Sequence, residues 1–315
     1  MTPGKNDKPN GRYDNTTFLY IRTHPADDGT TPLPPGLQFW LSPDIAIIRP
    51  DGSRGTEAEV GEFDQVEVMV TNDGGIDALN ASVEVFLADP STAFTPATST
   101  SIGTGYLSVP NHSIATITFP WTPVSVDAGH RCMLARVSLL LPFDGYVNPA
   151  IFDVVGDRHV AQRNLNVAHI EGDTLSFGFL VTNPLGQDGH FLLRAAEIRG
   201  KRVADVVRGA LGCPFAQLSD APLGGAGLTL AGPVPPQHER MMTSGPVVGV
   251  LRKPLAVPRN KSHRLIIRAD EPHYAMLTVA RNSAIRTGDL SVVQVEQIDI
   301  QTKRTVGGIW LIVYN

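Results

Sequence analysis

Gln65-Val66-Glu67-Val68-Met69-Val70-Thr71, then Asn72-Asp73-Gly74-Gly75, then Ser82-Val83-Glu84-Val85-Phe86-Leu87, is the stretch whose reading decides the fold. Val66, Val68 and Val70 alternate with Gln65, Glu67 and Met69, the period of two that places one face of a strand in a core and the other toward water. Asn-Asp-Gly-Gly is turn chemistry, since Asn, Asp and Gly tolerate the backbone conformations of a tight reversal. The same signals recur outward from this point. Thr17–Arg22 is a short aromatic and β-branched run, followed by the Pro/Gly-rich Thr31–Gly36. Ile114–Phe119 alternates, Cys132–Leu141 is a longer apolar run, and Pro50-Asp51-Gly52 and Phe143-Asp144-Gly145 supply further turns. Many short strands joined by such turns predict an all-β, antiparallel sandwich architecture.

Composition agrees with two such units. The chain has 315 residues, 42% hydrophobic and 18% charged, with 25 prolines and 30 glycines, which describes globular domains rich in strands and turns. A formal net charge of -5 provides no basic field for phosphate, so nucleic acid is not expected as a partner. Two cysteines, Cys132 and Cys213, fall in different predicted domains; neither a disulfide framework nor a zinc site is expected, and Cys132 reads as a small core residue. Met1–Asn15 is polar without an apolar signal core, and no run approaches the ~18 apolar residues of a membrane span. As written, the sequence reads as soluble, leaderless and cytoplasmic, with export by a leaderless route or within an assembly left open.

Three echoes suggest one fold used twice. Val70-Thr71-Asn72-Asp73-Gly74 is matched by Val181-Thr182-Asn183-Pro184-Leu185-Gly186. Val109-Pro110, then Ser113 opening Ile114–Phe119, is matched by Val257-Pro258, then Ser262 opening His263–Arg268. His130-Arg131-Cys132-Met133-Leu134 is matched by His273-Tyr274-Ala275-Met276-Leu277. The predicted organisation is a lead-in over 1–43, a first sandwich over 44–168 and a second over 169–315, with a chain ending at Ile170 able to fold alone. The second unit is longer between its first two echoes, so an insertion is expected over 188–256. It carries the clearest helix signal, Val203, Val206, Val207, Ala210 and Leu211 at i, i+3, i+4, i+7, i+8, stopped by Gly212 and Pro214.

Val68-Met69-Val70-Thr71-Asn72-Asp73-Gly74-Gly75, Ala81-Ser82-Val83-Glu84-Val85, Phe119-Pro120-Trp121-Thr122-Pro123, Gly129-His130 and Ala135-Arg136-Val137 together resemble the bacterial CARDB modules. These are immunoglobulin-like domains linked to cell adhesion. The stretch Tyr20-Ile21-Arg22 to Phe39-Trp40-Leu41-Ser42-Pro43-Asp44-Ile45 is similar to the lead-in to such modules. The resemblance covers about Asp44–Val167 and implies two tandem immunoglobulin-like antiparallel β-sandwiches, the second a more distant relative. Its motif residues are strand and turn residues, so it speaks for fold rather than function. Such modules often end in an acidic, asparagine-rich segment. Here Val160–Asn166 keeps the asparagines but sets Arg163 among them, which argues against a carried-over calcium site.

Catalytic signatures are missing from the sequence. There is no Gly-x-Ser-x-Gly elbow and no His-Glu-x-x-His pair, and Gly224-Gly225-Ala226-Gly227 has no Lys-Ser/Thr after it and reads as a turn. The nine histidines, among them His130, His159, His169, His190, His238, His263 and His273, show no i, i+2 or i, i+4 metal pairing. Asp27-Asp28, Asp51, Asp73 and Asp77 sit in turns, where carboxylates hydrogen-bond the local backbone. No catalytic residue, metal or cofactor is expected.

The function expected is therefore structural or interaction work, a subunit or adhesion-type module binding a protein partner or itself. A carbohydrate-binding accessory module is a second reading, poorly supplied by 7% aromatics and three tryptophans. A hydrolase with its site in the insertion is a third. Candidate partner-binding residues are Leu223, His238, Arg240, Met241 and Met242 in the insertion, where apolar side chains sit in a loop-rich excursion. Phe39 and Trp40 in the lead-in are either exposed anchors or a plug at the bottom of the first sandwich. The helix either belongs to that binding surface or caps the sandwich through Val203, Val206 and Val207.

Overall fold

The computed structural model describes residues 13–55, 57–58, 61–95, 99–123, 129–130, 132–170, 172–211, 213–233, 249–250, 256–269 and 271–314. In the first half lie β1 (Leu19–Tyr20), β2 (Ile45–Ile48), β3 (Arg54–Gly55), β4 (Glu57–Ala58), β5 (Asp64–Asn72), β6 (Ala78–Ala88), β7 (Ser99–Val109), β8 (Ser113–Trp121), β9 (Gly129–His130), β10 (Cys132–Ser138) and β11 (Val160–Arg163). In the second lie β12 (Leu165–His169), β13 (Thr174–Val181), β14 (Gly189–Ile198), α1 (Lys201–Leu211), β15 (Gly225–Pro233), β16 (Gly249–Val250), β17 (Ser262–Ile267), β18 (His273–Ala280), β19 (Leu290–Asp299) and β20 (Thr305–Tyr314).

Each half pairs two sheets face to face. In the first, β5 carries β1 and β2 along one edge and β8 along the other, while the opposing sheet runs β11-β10-β6-β7. Val66, Val68, Val70, Val83 and Val85 are fully buried between them, and Gln65, Glu67 and Met69 lie on the half-buried outer side, as the alternation requires. In the second, the sheets run β12-β20-β19-β14-β17 and β15-β18-β13-β16. The fold is all-β, with two immunoglobulin-like sandwiches in which α1 is the α-helix among the described residues.

Pairing corrects the internal repeat. β8 and β18 each pair with the opening strand of their sandwich, β5 and β13. β7 and β17 each pair with the following strand, β6 and β14, and β10 and β19 lie on the other side of those strands. The counterpart of Ile114–Phe119 in β8 is therefore β18, not the His263–Arg268 segment, and the counterpart of β10 is β19, not the strand opened by His273. Two of the three sequence echoes are shifted by one strand, because short alternating runs look alike whichever neighbour they pair with.

The first echo holds in atomic detail. Asn72 Nδ2 donates to Ile76 O at 2.9 Å and to Val109 O at 3.1 Å, and Asn72 Oδ1 accepts from Gly74 N–H at 3.0 Å. Asn183 Nδ2 donates to Gln187 O at 2.7 Å and to Ile267 O at 2.8 Å, and its Oδ1 accepts from Leu185 N–H at 3.0 Å. Each carboxamide closes the turn after its strand and ties it to the last residue of β7 or β17. This is local side-chain-to-backbone bonding of the kind Asn provides in turns.

The domain boundary also moves. β12, placed in the first unit by a boundary at 168, runs parallel to β20 with Leu165 opposite Trp310 and His169 opposite Tyr314, so it belongs to the second sandwich. The expected insertion over 188–256 is partly scaffold: β14 is an inner strand of the five-stranded sheet, β15 covers the edge of β18, and β16 pairs with β13. Val207 is fully buried and Val203 and Val206 pack against the same core, so α1 caps the second sandwich.

The sandwiches are fused rather than strung. The core of the second continues through Trp310, Phe177 and Phe179 into Trp40, Phe94, Cys132 and Leu134 of the first. A buried polar seam runs through it. Leu180 N–H donates to Pro90 O at 2.8 Å, Gly308 N–H to Thr92 O at 2.7 Å, and Thr92 Oγ1 to Gln297 Oε1 at 2.5 Å. Asn164 Nδ2 bridges Ser91 O at 2.9 Å and Gly308 O at 3.0 Å. Gly307 and Gly308 admit this contact: a Cβ on Gly308 would stand 2.6 Å from the Trp40 ring, and one on Gly307 2.5 Å from Thr92 O.

Candidate functional site

Of the predicted partner-binding residues, the described ones, Phe39, Trp40 and Leu223, lie in the interior. Trp40 is fully buried and Phe39 and Leu223 nearly so, all three in the shared core, which removes the exposed-anchor reading of Phe39 and Trp40 and makes Leu223 a packing residue. Trp40 plugs the junction between the sandwiches through its contact with β20, rather than the bottom of the first. His238, Arg240, Met241 and Met242 lie outside the described residues. Asp27, Asp28 and Asp51 accept from the N–H groups of Gly29, Thr30 and Ser53, each two residues on, as turn carboxylates do. Cys132 is buried and Cys213 exposed, and neither forms a disulfide.

A different surface stands out at the end of β10. Beyond Ser138 the chain reads Leu139-Leu140-Leu141-Pro142-Phe143-Asp144, and Leu139 and Asp144 close it into a hairpin. Leu139 N–H donates to Asp144 O at 2.7 Å, and Asp144 N–H to Leu139 O at 3.0 Å. Leu140, Leu141, Phe143 and nearby Val147 are between 73% and 84% exposed. Single exposed apolar residues are ordinary, but a cluster on one short loop marks a contact surface. The register extends it: Ser82 pairs with Ser138 on one side and with Tyr106 on the other, so exposed Tyr106 lies beside the root of the hairpin, as does exposed Leu79 at the start of β6.

Under this apolar tip lies a buried ionic network. Asp144 Oδ2 accepts from Leu19 N–H at 2.7 Å, and Asp144 Oδ1 from Arg158 Nη2 at 2.5 Å and His159 Nε2 at 2.8 Å. On its other side His159 Nδ1 meets Asp157 Oδ1 at 2.7 Å, and Asp157 Oδ2 accepts from Val147 N–H at 2.6 Å. Arg158 Nε donates to Leu19 O at 3.1 Å, with its guanidinium 4.3 Å above the Phe18 ring. With a carboxylate oxygen at each ring nitrogen, both contacts can be hydrogen bonds only for the protonated ring.

The titration behaviour follows from this geometry. Burial disfavours the charge on His159, but the hydrogen bonds to Asp144 and Asp157 outweigh it and hold its pKa above the ordinary value. Burial likewise opposes ionisation of Asp144 and Asp157, and the His159 bonds with backbone N–H donors hold both below the usual carboxylate range. The return segment is fixed as well. Arg136 Nε donates to Glu84 Oε2 at 2.6 Å, Tyr146 OH to the same oxygen at 3.1 Å, and the Arg136 guanidinium lies 4.3 Å over the Tyr146 ring and 5.3 Å over Phe86 and Phe152. The tip is an apolar projection on a hydrogen-bonded base.

A signal for it exists in the sequence. Leu139-Leu140-Leu141 breaks the alternation of a strand with one wet face and Pro142 ends it, which marks the segment as unusual without saying which side chain is exposed, since a fully buried run reads the same way.

No protein-family model matches the sequence, and no curated protein matches it. Among solved structures the chain is similar to the CARDB domain of the PF1109 protein of Pyrococcus furiosus, crystallised in complex with di-metal ions. That match has 19% identity, covers 38% of this chain and 86% of that one, and has a TM-score of 0.25. Red sea bream transglutaminase matches at 14% identity over 86% of this chain and 31% of that one, TM-score 0.22. CBD12 from CALX1.2 matches at 13% identity over 76% of each, TM-score 0.18. Among the described residues no group of three His, Cys, Asp or Glu is placed to hold a metal, and no helix is long and apolar enough to cross a membrane.

Proposed function

We propose that this chain is a non-catalytic interaction protein whose contact element is the hairpin tip Leu140-Leu141-Pro142-Phe143, seated in an apolar groove of a protein partner. The observation that carries the reading is the combination of large, solvent-facing apolar side chains with a backbone held by the Asp144–His159–Asp157 network. Binding of a pre-ordered loop loses little conformational entropy, and buried apolar or aromatic anchors contribute most to affinity. A projection complements a groove, whereas a carbohydrate is bound on a flat aromatic platform, and Phe143 is the tip's one aromatic. A lipid surface fits less well: Arg136 and Arg158, the cations beside the tip, are already paired with Glu84 and Asp144. Among the described residues a hydrolase reading finds no support at buried His159, whose ring nitrogens face two carboxylates rather than a nucleophile.

The test is cross-linking and capture from the native host with the full chain and with Leu141→Asp/Phe143→Asp. Partners should be depleted about tenfold or more in the variant, with the melting temperature unchanged, because both side chains already face water. Equal capture by the two chains removes the tip from the contact. Binding of the unaltered chain, but not the variant, to phosphatidylcholine/phosphatidylserine vesicles reassigns the tip to a membrane surface.

A further inference from the structure

We propose that the open edge of β7 pairs, antiparallel and about a two-fold axis, with β7 of a second copy of this chain, joining two four-stranded sheets into one of eight. The pairing uses the backbone edge of β7 and none of the tip side chains Leu140, Leu141 and Phe143. β7 ends its sheet, bonded to β6 along one side, and among the described residues no strand is hydrogen-bonded to the other. An edge of unpaired N–H and C=O groups is recognised by another extended backbone, which sets the chemistry of the occupant.

The rest of the molecule shows how bare this edge is. β17, the counterpart of β7, is a six-residue strand carrying His263 and Arg264. The edge of β18 is covered by β15, and β15 itself ends in Pro233. β8, the neighbouring edge, contains Pro120, which has no N–H to give. β7 is eleven residues long and has neither a proline nor a charge, and no Asp, Glu, Lys or Arg occurs anywhere between Asp89 and Asp127. Charged residues and prolines are the usual devices that keep edges apart.

The missing charges also select the occupant. Across a two-fold axis each residue near the axis meets its own kind or a close neighbour, so any charge there would face a like charge; an uncharged strand meets itself without penalty. The regular part of β7 is Gly103–Leu107, since the pairing with β6 shifts at Ile102 and again between Leu107 and Val109. Pairing centred on Gly105 sets Tyr106 of one copy opposite Thr104 of the other. Both are exposed, and an aromatic opposite a β-branched residue is a favourable cross-strand pair.

Sedimentation of the full chain should show the mass rise about twofold with concentration, up to about 100 μM. Amides of 103–107 should exchange more slowly in the heavier species. Thr104→Lys/Tyr106→Lys sets ammonium groups across from one another and should return the mass to that of one chain, with melting unchanged. A single-chain mass at all concentrations overturns the proposal. So does a doubled mass that persists in the lysine variant, or a dimer in which the 103–107 amides exchange as in the monomer. Protection of those amides by a different protein, with this chain alone monomeric, assigns the edge to that protein's strand and equally overturns self-pairing.

Discussion

Gly308 illustrates how a single side chain decides the way the two sandwiches meet. Its missing Cβ leaves room for the Trp40 ring, 2.6 Å from where that carbon would sit, and its N–H reaches Thr92 O at 2.7 Å. Gly308→Ala should cost about 1–3 kcal/mol, the range for overpacking a filled core, read as a lower urea midpoint at unchanged slope. His159 sets the pH dependence. Its folded pKa stands above the ordinary 6.5, so its stabilisation is complete below that value and lost as pH rises through the folded value. Asp144 and Asp157 stand below the ordinary 3.8, so theirs is complete above that value and lost as pH falls through the folded values. The network is therefore strongest between 3.8 and 6.5. His159→Gln should lower the urea midpoint most at about pH 5.5 and least at about pH 9. An equal loss at both would mean that the imidazolium charge contributes nothing. None of this was legible in the sequence, where His159 is one of nine histidines, Asp144 reads as a turn residue and Asp157 carries no signal.

At the level of elements, the strands and turns were legible and their partners were not. The alternation of Gln65–Thr71 specifies which face is buried because a period of two permits one answer. It does not specify which strand lies alongside, and the echoes built on Ser113 and His130 accordingly slipped by one strand. The Asn72 and Asn183 turns escaped that error because a carboxamide making the same three bonds is a chemical identity rather than a pattern. Asn72→Ala and Asn183→Ala should each destabilise by about 1–3 kcal/mol, since each strands buried backbone groups at the ends of β7 or β17. A neutral Asn183→Ala would show that the second turn is held by packing alone. For α1, the i, i+3, i+4 spacing predicted both the helix and its buried face. What it covers, the second core, was open until the structure placed Val207 there.

For the whole molecule, the shared core and the seam from Ser91 to Gln297 imply one cooperative unit. The full chain should unfold in a single transition by calorimetry, with calorimetric and van't Hoff enthalpies equal. A chain ending at Ile170 should fail to fold, because it exposes Trp40, Phe94 and Leu134 and leaves β12 without β20; cooperative melting of that fragment would show the sandwiches to be separable. The sequence by itself determined the all-β class, the faces of the strands, the helix and the scarcity of catalytic signatures, because these follow from local periodicity and residue chemistry. Only the tertiary structure decided which strands pair, that Phe39, Trp40 and Leu223 are interior, and that Leu140, Leu141 and Phe143 are the exposed ones. Exposure depends on what the rest of the chain covers, and an apolar residue carries no local sign of whether it will be covered.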